Sequence, residues 1–156
     1  MKQRLNAFEK GQKAMKALYG IGMYLSKSPV EQHLLNLIYF RVSQINGCAY
    51  CLDMHAKDLR INGETEQRLY MLDAWRETSV YTPRERAALA WAEAVTKITD
   101  GSVSDAVYEE ARTEFSEEEL VDLTLAVTTI NTYNRINIAF KVEGGSYVPG
   151  QHAAAH

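Results

Sequence analysis

Apolar residues recur every three or four positions along most of the chain, the spacing of one face of an α-helix. The predicted helices cover roughly residues 28–46, 48–59, 65–75, 82–98, 104–114 and 117–140, preceded by a looser helix in the first 25 residues. No segment shows the alternation of apolar and polar residues that is typical of a strand. The pattern therefore predicts an all-α fold of about six or seven helices.

Several of these helices have clear start signals. A Ser or Thr stands three residues before a Glu at Ser28–Glu31, Thr82–Glu85 and Ser116–Glu119, which is the spacing of a capping box. In the first two, Pro29 and Pro83 occupy the predicted first helical position, where a missing N–H costs nothing. We therefore expect helices to begin at these three points.

The length of the chain fits one domain. With 156 residues and no internal linker, we expect a single helical domain over residues 1–140 and a mobile C-terminal tail over residues 141–156. The last predicted helix is apolar around much of its circumference, and such a surface is seldom left in water. This helix is therefore expected to be central or shared between subunits of a homo-oligomer.

Composition and charge narrow the classes of function. Apolar residues make up 46% and charged residues 24%, which is the mixture of an ordinary folded domain. The net charge of -3 provides no cationic field for nucleic acid. No segment has the roughly 20 apolar residues of a membrane span, and the uncharged run at 17–25 lacks the cleavage site of a signal peptide. We expect a cytoplasmic protein that binds neither nucleic acid nor membrane.

The candidate chemistry lies in the only two cysteines and a nearby histidine. Cys48, Cys51 and His55 occupy positions i, i+3 and i+7, which share one face of a helix. Asn46 and Gly47 interrupt the preceding helix, so Cys48 falls in a first helical turn, where free N–H groups favour a thiolate. His55 lies one turn beyond Cys51 and could accept or return the thiol proton. The spacing predicts a nucleophile beside a base.

Other interpretations of the cysteines stay open. The pair could be inert and buried, or it could bind zinc. A zinc site usually needs four ligands, but only the two cysteines and His55 are placed to serve, since His33 lies on a different predicted helix and His152 in the tail. A thioredoxin-like dithiol is disfavoured because the βαβ pattern of that fold is missing. A reversible disulfide between the two sulfurs would suit the start of a helix, where the first residue can leave helical geometry.

These residues also carry a family resemblance. Residues 41–55 (RVSQINGCAYCLDMH) resemble the core signature of alkylhydroperoxidase D-like proteins, within the carboxymuconolactone decarboxylase superfamily, and residues 82–96 and the last helix resemble it more loosely. The resemblance implies an all-helical fold, homo-oligomers such as trimers or hexamers, and thiol-dependent reduction of hydroperoxides. It also implies that Cys51 attacks the peroxide, that Cys48 resolves the sulfenic acid as a disulfide, and that His55 relays protons.

One position departs from this family. A relay Glu commonly lies twelve residues before the first cysteine, but this chain has Asn36, which cannot titrate. Glu93 is the candidate replacement, because burial in its apolar helix could raise its pKa toward a useful range. Tyr50, between the cysteines, is a second candidate proton donor, and His33 could contribute from one turn before Asn36.

The leading hypothesis is a peroxidase that uses the dithiol, an external dithiol reductant and no cofactor. The reductant could be a lipoyl protein, a thioredoxin-like protein or a small thiol. A non-enzymatic redox sensor would use the same pair, and decarboxylation of a lactone acid is suggested only by the name of the superfamily.

Overall fold

The computed structural model describes residues 2–151, apart from the side chain of Asp100. The α-helices of this range are α1 (Ala7–Lys10), α2 (Gln12–Leu25), α3 (Gln32–Asn46), α4 (Ala49–Ile61), α5 (Glu66–Met71), α6 (Pro83–Thr96), α7 (Asp105–Glu114) and α8 (Glu117–Phe140). Two 3-10 helices follow α5 and α6, at Leu72–Glu77 and Ile98–Asp100. No strand occurs in the described range, so the predicted all-α class is confirmed.

The predicted number of helices was slightly too low. The looser helix expected in the first 25 residues is divided at Gly11 into α1 and α2, which brings the α-helices of the described range to eight. The Asn6 side chain accepts hydrogen bonds from the N–H groups of Phe8 and Glu9 and so starts α1 as a short helix of its own. The remaining helices correspond to predicted ones.

Helices α3, α6 and α8 form the centre of the molecule, and each packs against the other two. Their facing side chains are fully buried, including Leu35 and Ile38 of α3, Leu89 of α6, and Leu123 and Val127 of α8. Helix α4 packs against α3 and α8 at one side of this centre. The residues of α4 that matter for the site are therefore set against two buried helices.

Two of the three predicted capping boxes are confirmed. The Thr82 hydroxyl accepts from the Glu85 N–H at 3.2 Å, and the Glu85 carboxylate accepts in return from the Thr82 N–H at 2.8 Å. Ser116 and Glu119 form the same reciprocal pair at the start of α8, and Pro83 is the first residue of α6. Each glutamate also binds a distant arginine chiefly through Oε1, Arg68 for Glu85 and Arg84 for Glu119, while its Oε2 still accepts from the N–H of the cap residue.

The third predicted start, at Ser28, is wrong. Helix α3 begins at Gln32, and the Ser28 hydroxyl instead donates to the Asp122 carboxylate of α8 at 2.5 Å. Glu31 pairs with Arg84 of α6, with its Oε1 3.0 Å from Nε. Because both members of the expected box bind distant partners, Pro29 lies in a bend before α3 rather than in its first helical turn.

The segment after α8 lies against α4. Gly144 fits closely over the Ala49–Tyr50 peptide, since a Cβ built at Gly144 would lie only 2.5 Å from the Ala49 carbonyl oxygen. The N–H groups of Gly145 and Tyr147 donate to Asp53 Oδ2 at 2.8 and 3.0 Å. Residue 140, where the domain boundary is predicted, is the last residue of α8. The mobility predicted for residues 141–156 stays a prediction, and residues 152–156 lie outside the described range.

A separate finding concerns membranes. Within residues 2–151, no helix combines the length and the apolar character needed to cross a bilayer.

The confirmed caps make a direct test of the fold. Replacing Ser116 by Ala removes the hydroxyl that bonds to the Glu119 N–H, so we expect the free energy of unfolding to fall by about 1 kcal/mol. Urea denaturation measures this loss. Ser102→Ala, at an exposed serine outside the helices, is the matched control and should change stability by less than about 0.5 kcal/mol. Equal effects of the two substitutions would contradict the capping role.

Candidate dithiol site

The turn between α3 and α4 places the cysteines. Gly47 closes α3 with a left-handed φ of 68°, a conformation that glycine adopts without strain. Cys48 follows in an extended conformation as the N-cap of α4, and its N–H donates to the Ser43 carbonyl at 3.1 Å. Cys51 lies in the first turn of α4. The predicted arrangement at a helix start is therefore present, with Cys48 at the residue immediately before the helix.

Both thiols are free and almost completely buried, with 1% of each residue exposed. The pKa of Cys48 is lowered to about 7, chiefly by a hydrogen bond from the Cys51 thiol. Burial opposes this shift, while the Cys51 backbone N–H and the side-chain amides of Asn137 and Asn134 support it. The same hydrogen bond, together with burial and the charge on Cys48, raises the pKa of Cys51. The pair can therefore hold one negative charge near neutral pH, but not two.

His55 lies on the same buried face of α4 as Cys51, one turn later. Neither ring nitrogen has a hydrogen-bond partner among the described residues, and the ring centroid lies 5.3 Å from that of Tyr39. Burial lowers the pKa of His55 to about 4. The imidazole is therefore neutral at pH 7, with one nitrogen able to donate and the other able to accept a proton.

Asn137 is a residue of the site that the sequence analysis missed. Its side-chain Nδ2 donates to Cys51 Sγ at 3.3 Å from the buried face of α8. A signal was available in the sequence, because Asn131, Asn134 and Asn137 recur at every third position of a helix that is otherwise largely apolar. Buried amides need partners, so asparagines on one helical face indicate polar groups opposite them.

Tyr50 is half-buried between the two cysteines in sequence. Burial raises the pKa of its phenol, and a hydrogen bond with Gln151 opposes this rise. The phenol therefore stays protonated near neutral pH and can serve there as a proton donor but not as a base. Its role as a donor to the substrate remains a prediction.

The expectation that burial raises the pKa of Glu93 is wrong. Burial does act in that direction, but hydrogen bonds from Arg76, Trp75 and Arg41 outweigh it and hold the pKa below its usual range. Glu93 Oε1 lies 2.9 Å from Trp75 Nε1 and from Arg41 Nε, and Oε2 lies 2.5 Å from Arg76 Nη1. The carboxylate is saturated by these groups and has no described hydrogen bond to either cysteine or to His55.

The other residues that the sequence suggested for the site form hydrogen bonds outside it. Asn36 donates to the Gln32 carbonyl of its own helix at 2.9 Å, and His33 Nε2 lies 3.1 Å from Glu64 Oε2. Among the described residues, no three His, Cys, Asp or Glu side chains are grouped as metal ligands, and His152 lies outside that range. The zinc alternative therefore has no ligand set in the described part of the chain.

Comparisons with known proteins agree with the resemblance. The model of the carboxymuconolactone decarboxylase family matches residues 9–94. Uncharacterized protein YdfG of Bacillus subtilis (strain 168) is 44% identical over 139 residues, which cover 89% of this chain and 95% of YdfG. A crystal structure from Agrobacterium tumefaciens, of a protein of unknown function described as a candidate antioxidant defence protein AhpD, is 41% identical. It superposes with a TM-score of 0.89 over 94% of this chain and 100% of that chain.

A more distant structure shows the same fold. An uncharacterized peroxidase-related protein from Ralstonia eutropha JMP134, described as an alkylhydroperoxidase AhpD core, has a TM-score of 0.77 at 20% identity. The match covers 90% of this chain and 74% of that one. The fold that the resemblance implied is thereby confirmed.

The neutral burial of His55 makes stability depend on pH. An unfolded histidine, with a pKa near 6.5, binds a proton more readily than the folded one, so stability falls as the pH falls from about 6.5 toward about 4. We expect wild type to lose about 2 kcal/mol through His55 between about pH 7.5 and about pH 5. Urea denaturation of wild type and His55→Leu measures this difference, and an identical pH dependence in both proteins would contradict it.

Glu93 offers a second test, because its removal leaves the buried Arg41 with only the exposed Asp73 as a carboxylate partner. We expect Glu93→Gln to lower the free energy of unfolding by about 3 kcal/mol near neutral pH. The folded pKa is lowered, so this difference from wild type should shrink as the pH falls below about 4.5. Chemical denaturation over this pH range is the measurement.

The control for this substitution is Glu109→Gln, at an exposed glutamate of α7, which should change stability by less than about 0.5 kcal/mol. Reduced thiol reactivity in Glu93→Gln at unchanged stability would instead favour the relay role that the sequence analysis predicted.

Proposed function

The chain belongs to the carboxymuconolactone decarboxylase family, and we propose that it is a thiol-dependent peroxidase that reduces organic hydroperoxides. It carries a dithiol in which the pKa of Cys48 is lowered, and a neutral imidazole on the same helix as Cys51. The observation that carries this proposal is the pair of free, buried cysteines at the start of α4, where interaction with Cys51 lowers the pKa of Cys48 to about 7 and so lets one thiol ionise near neutral pH. A thiolate is the form of cysteine that attacks peroxides.

The proposed oxidation starts from a Cys48 thiolate that accepts a hydrogen bond from the Cys51 thiol. The proton passes from Cys51 to Cys48, and the Cys51 thiolate attacks the distal oxygen of the hydroperoxide, breaking the O–O bond. Cys51 becomes a sulfenic acid, and the alkoxide that leaves takes the proton from Cys48. The order of attack follows the family resemblance, and the hydrogen bond between the sulfurs supplies the proton path.

Disulfide formation completes the oxidation. The Cys48 thiolate attacks the Cys51 sulfenic sulfur and releases hydroxide, so that one thiolate, one thiol and one hydroperoxide become one disulfide, one alcohol and one hydroxide. We propose that His55, which is neutral and has no hydrogen-bond partner among the described residues, donates a proton to or accepts one from the reacting oxygens. An external dithiol, from a lipoyl or a thioredoxin-like protein, would return the disulfide to two thiols by exchange.

The proposal also includes the cellular compartment and the oligomeric state. We place the cycle in the cytoplasm, where such reductants keep protein thiols reduced. We also propose a homo-oligomer, because the outer face of α8 exposes 67% of Val121 and 46% of Ile138. Whether the assembly is a trimer or a hexamer is to be read from its mass in solution.

A redox sensor is the second candidate. The observation that favours it is the 1% exposure of each cysteine, because limited access slows both peroxide attack and reduction by a protein partner. A sensor would form the disulfide without sustained turnover. Decarboxylation of a lactone acid is less favoured, since the imidazole beside the dithiol is neutral and offers a substrate carboxylate no charge.

The peroxidase proposal predicts that reduced protein consumes an organic hydroperoxide and loses two thiols per chain. In Cys51→Ser, consumption should fall at least about a hundredfold, because a serine hydroxyl is a poor nucleophile at neutral pH. Cys48→Ser is the matched variant: it should react once and hold a sulfenic acid on Cys51, detectable by dimedone labelling and mass spectrometry. Full activity in Cys51→Ser would contradict the assigned nucleophile.

Sustained turnover separates the two candidate functions. With excess hydroperoxide and a lipoyl or thioredoxin donor, a peroxidase oxidises many equivalents of donor per chain. A sensor stops after one disulfide per chain, and this outcome would overturn the peroxidase proposal.

A further inference from the structure

The amide of Asn137 makes a direct contact with one of the two reacting sulfurs. Its Nδ2 lies 3.3 Å from Cys51 Sγ, within the range of an N–H···S hydrogen bond. Asn137 is 5% exposed and Cys51 is 1% exposed, so water does not compete strongly for this contact. A buried donor aimed at a sulfur atom stabilises a negative charge there more than it stabilises a neutral thiol or a disulfide.

The neighbouring asparagine fixes the helix that carries this amide. Asn134 Nδ2 donates to the Ser43 hydroxyl at 3.0 Å, and its Oδ1 accepts from Asn46 Nδ2 at 2.9 Å. Asn46, the last residue of α3, also donates to Asn131 Oδ1 at 2.9 Å. These bonds tie α8 to the end of α3, immediately before the cysteine turn, and so set the distance from Asn137 to Cys51.

We propose that Asn137 is a catalytic residue of the dithiol site, whose side-chain N–H stabilises negative charge on the Cys51 sulfur during attack on the peroxide and during reduction of the disulfide. This assignment rests on the proposed dithiol function and deepens it. A carboxamide does not titrate, so its donor is available over the whole pH range in which the protein is folded.

Apart from Cys48, the titratable side chains recorded as interacting with Cys51 are neutral near pH 7. The phenols of Tyr50 on α4 and Tyr133 on α8 have raised pKa values, first through burial, and the pKa of His55 on α4 is lowered by burial. None of them supplies positive charge to the sulfur. The amide of Asn137 is thus the principal side-chain donor that faces a thiolate on Cys51, with Asn134 acting in the same direction.

The inference is tested most directly on a protein with one thiol. In a Cys48→Ser background, the ultraviolet absorbance of the thiolate and the rate of alkylation against pH both report the pKa of Cys51. Adding Asn137→Leu, which keeps the volume and removes the donor, should raise this pKa by at least about one unit, a tenfold change in the ratio of thiolate to thiol. If the Leu variant does not fold, Asn137→Ser provides the same test with a side chain too short to reach the sulfur.

The control is Thr132→Val in the same background. Thr132 lies on the exposed side of α8, and its hydroxyl donates to the Thr128 carbonyl of the same helix at 3.0 Å. This substitution should leave the pKa of Cys51 unchanged. An unchanged pKa in the Asn137 variants, or an equal rise in Thr132→Val, would overturn the assignment.

A second readout uses the intact dithiol. In the reduced pair the charge lies on Cys48 near neutral pH, and the Asn137 amide also lowers the pKa of that thiol. Loss of the donor should therefore make the disulfide harder to reduce, shifting its equilibrium with dithiothreitol at pH 7 by about twofold toward the oxidised form. Neither measurement requires turnover of peroxide. If the pKa and the dithiothreitol equilibrium shift but wild type does not consume hydroperoxide, the peroxidase proposal fails and the role of Asn137 stands. If wild type consumes hydroperoxide but neither quantity shifts, the role of Asn137 fails and the peroxidase proposal stands.

Discussion

The hydrogen-bonded connection between the end of α3 and the buried face of α8 is the constraint on which the dithiol site depends. Asn46 binds both Asn131 and Asn134, and one residue later Gly47 turns the chain through a left-handed conformation. Because this turn is fixed, Cys48 can cap α4 while it is buried between helices. Without the bond from Asn46, the Oδ1 of the fully buried Asn134 would lose its partner in the core, which is costly.

Two buried polar side chains show that the number of hydrogen-bond partners distinguishes a structural role from a reactive one. Glu93 accepts hydrogen bonds from two arginines and a tryptophan, so its charge is fixed and its pKa is low. His55 is equally buried but has no described partner, and its free nitrogens remain available for chemistry. Burial alone does not predict function; what decides it is whether the surrounding helices supply enough partners to occupy every lone pair.

Much of the fold could be predicted because its signals are local. The cap at Ser116 and the glycine turn at Gly47 depend on residues within a few positions of one another, and both are found where expected. The cap at Ser28 has the same local pattern and failed, because its hydroxyl binds Asp122, a residue 94 positions later. The raised pKa expected for Glu93 failed for the same reason, since its partners come from other segments. A local pattern cannot show which distant side chain will compete for it.

The spacing of Cys48, Cys51 and His55 could be predicted, but the group that faces Cys51 could not, because it comes from a helix 86 residues further along the chain. Its position nevertheless follows from physical reasoning. A thiolate in a dry site needs a donor, and a lysine or arginine in its place would have to be desolvated as well. A neutral amide provides the donor at a lower cost and keeps the site close to neutral when the disulfide forms. The use of Asn137 rather than a cation therefore suits a pair that alternates between one negative charge and none.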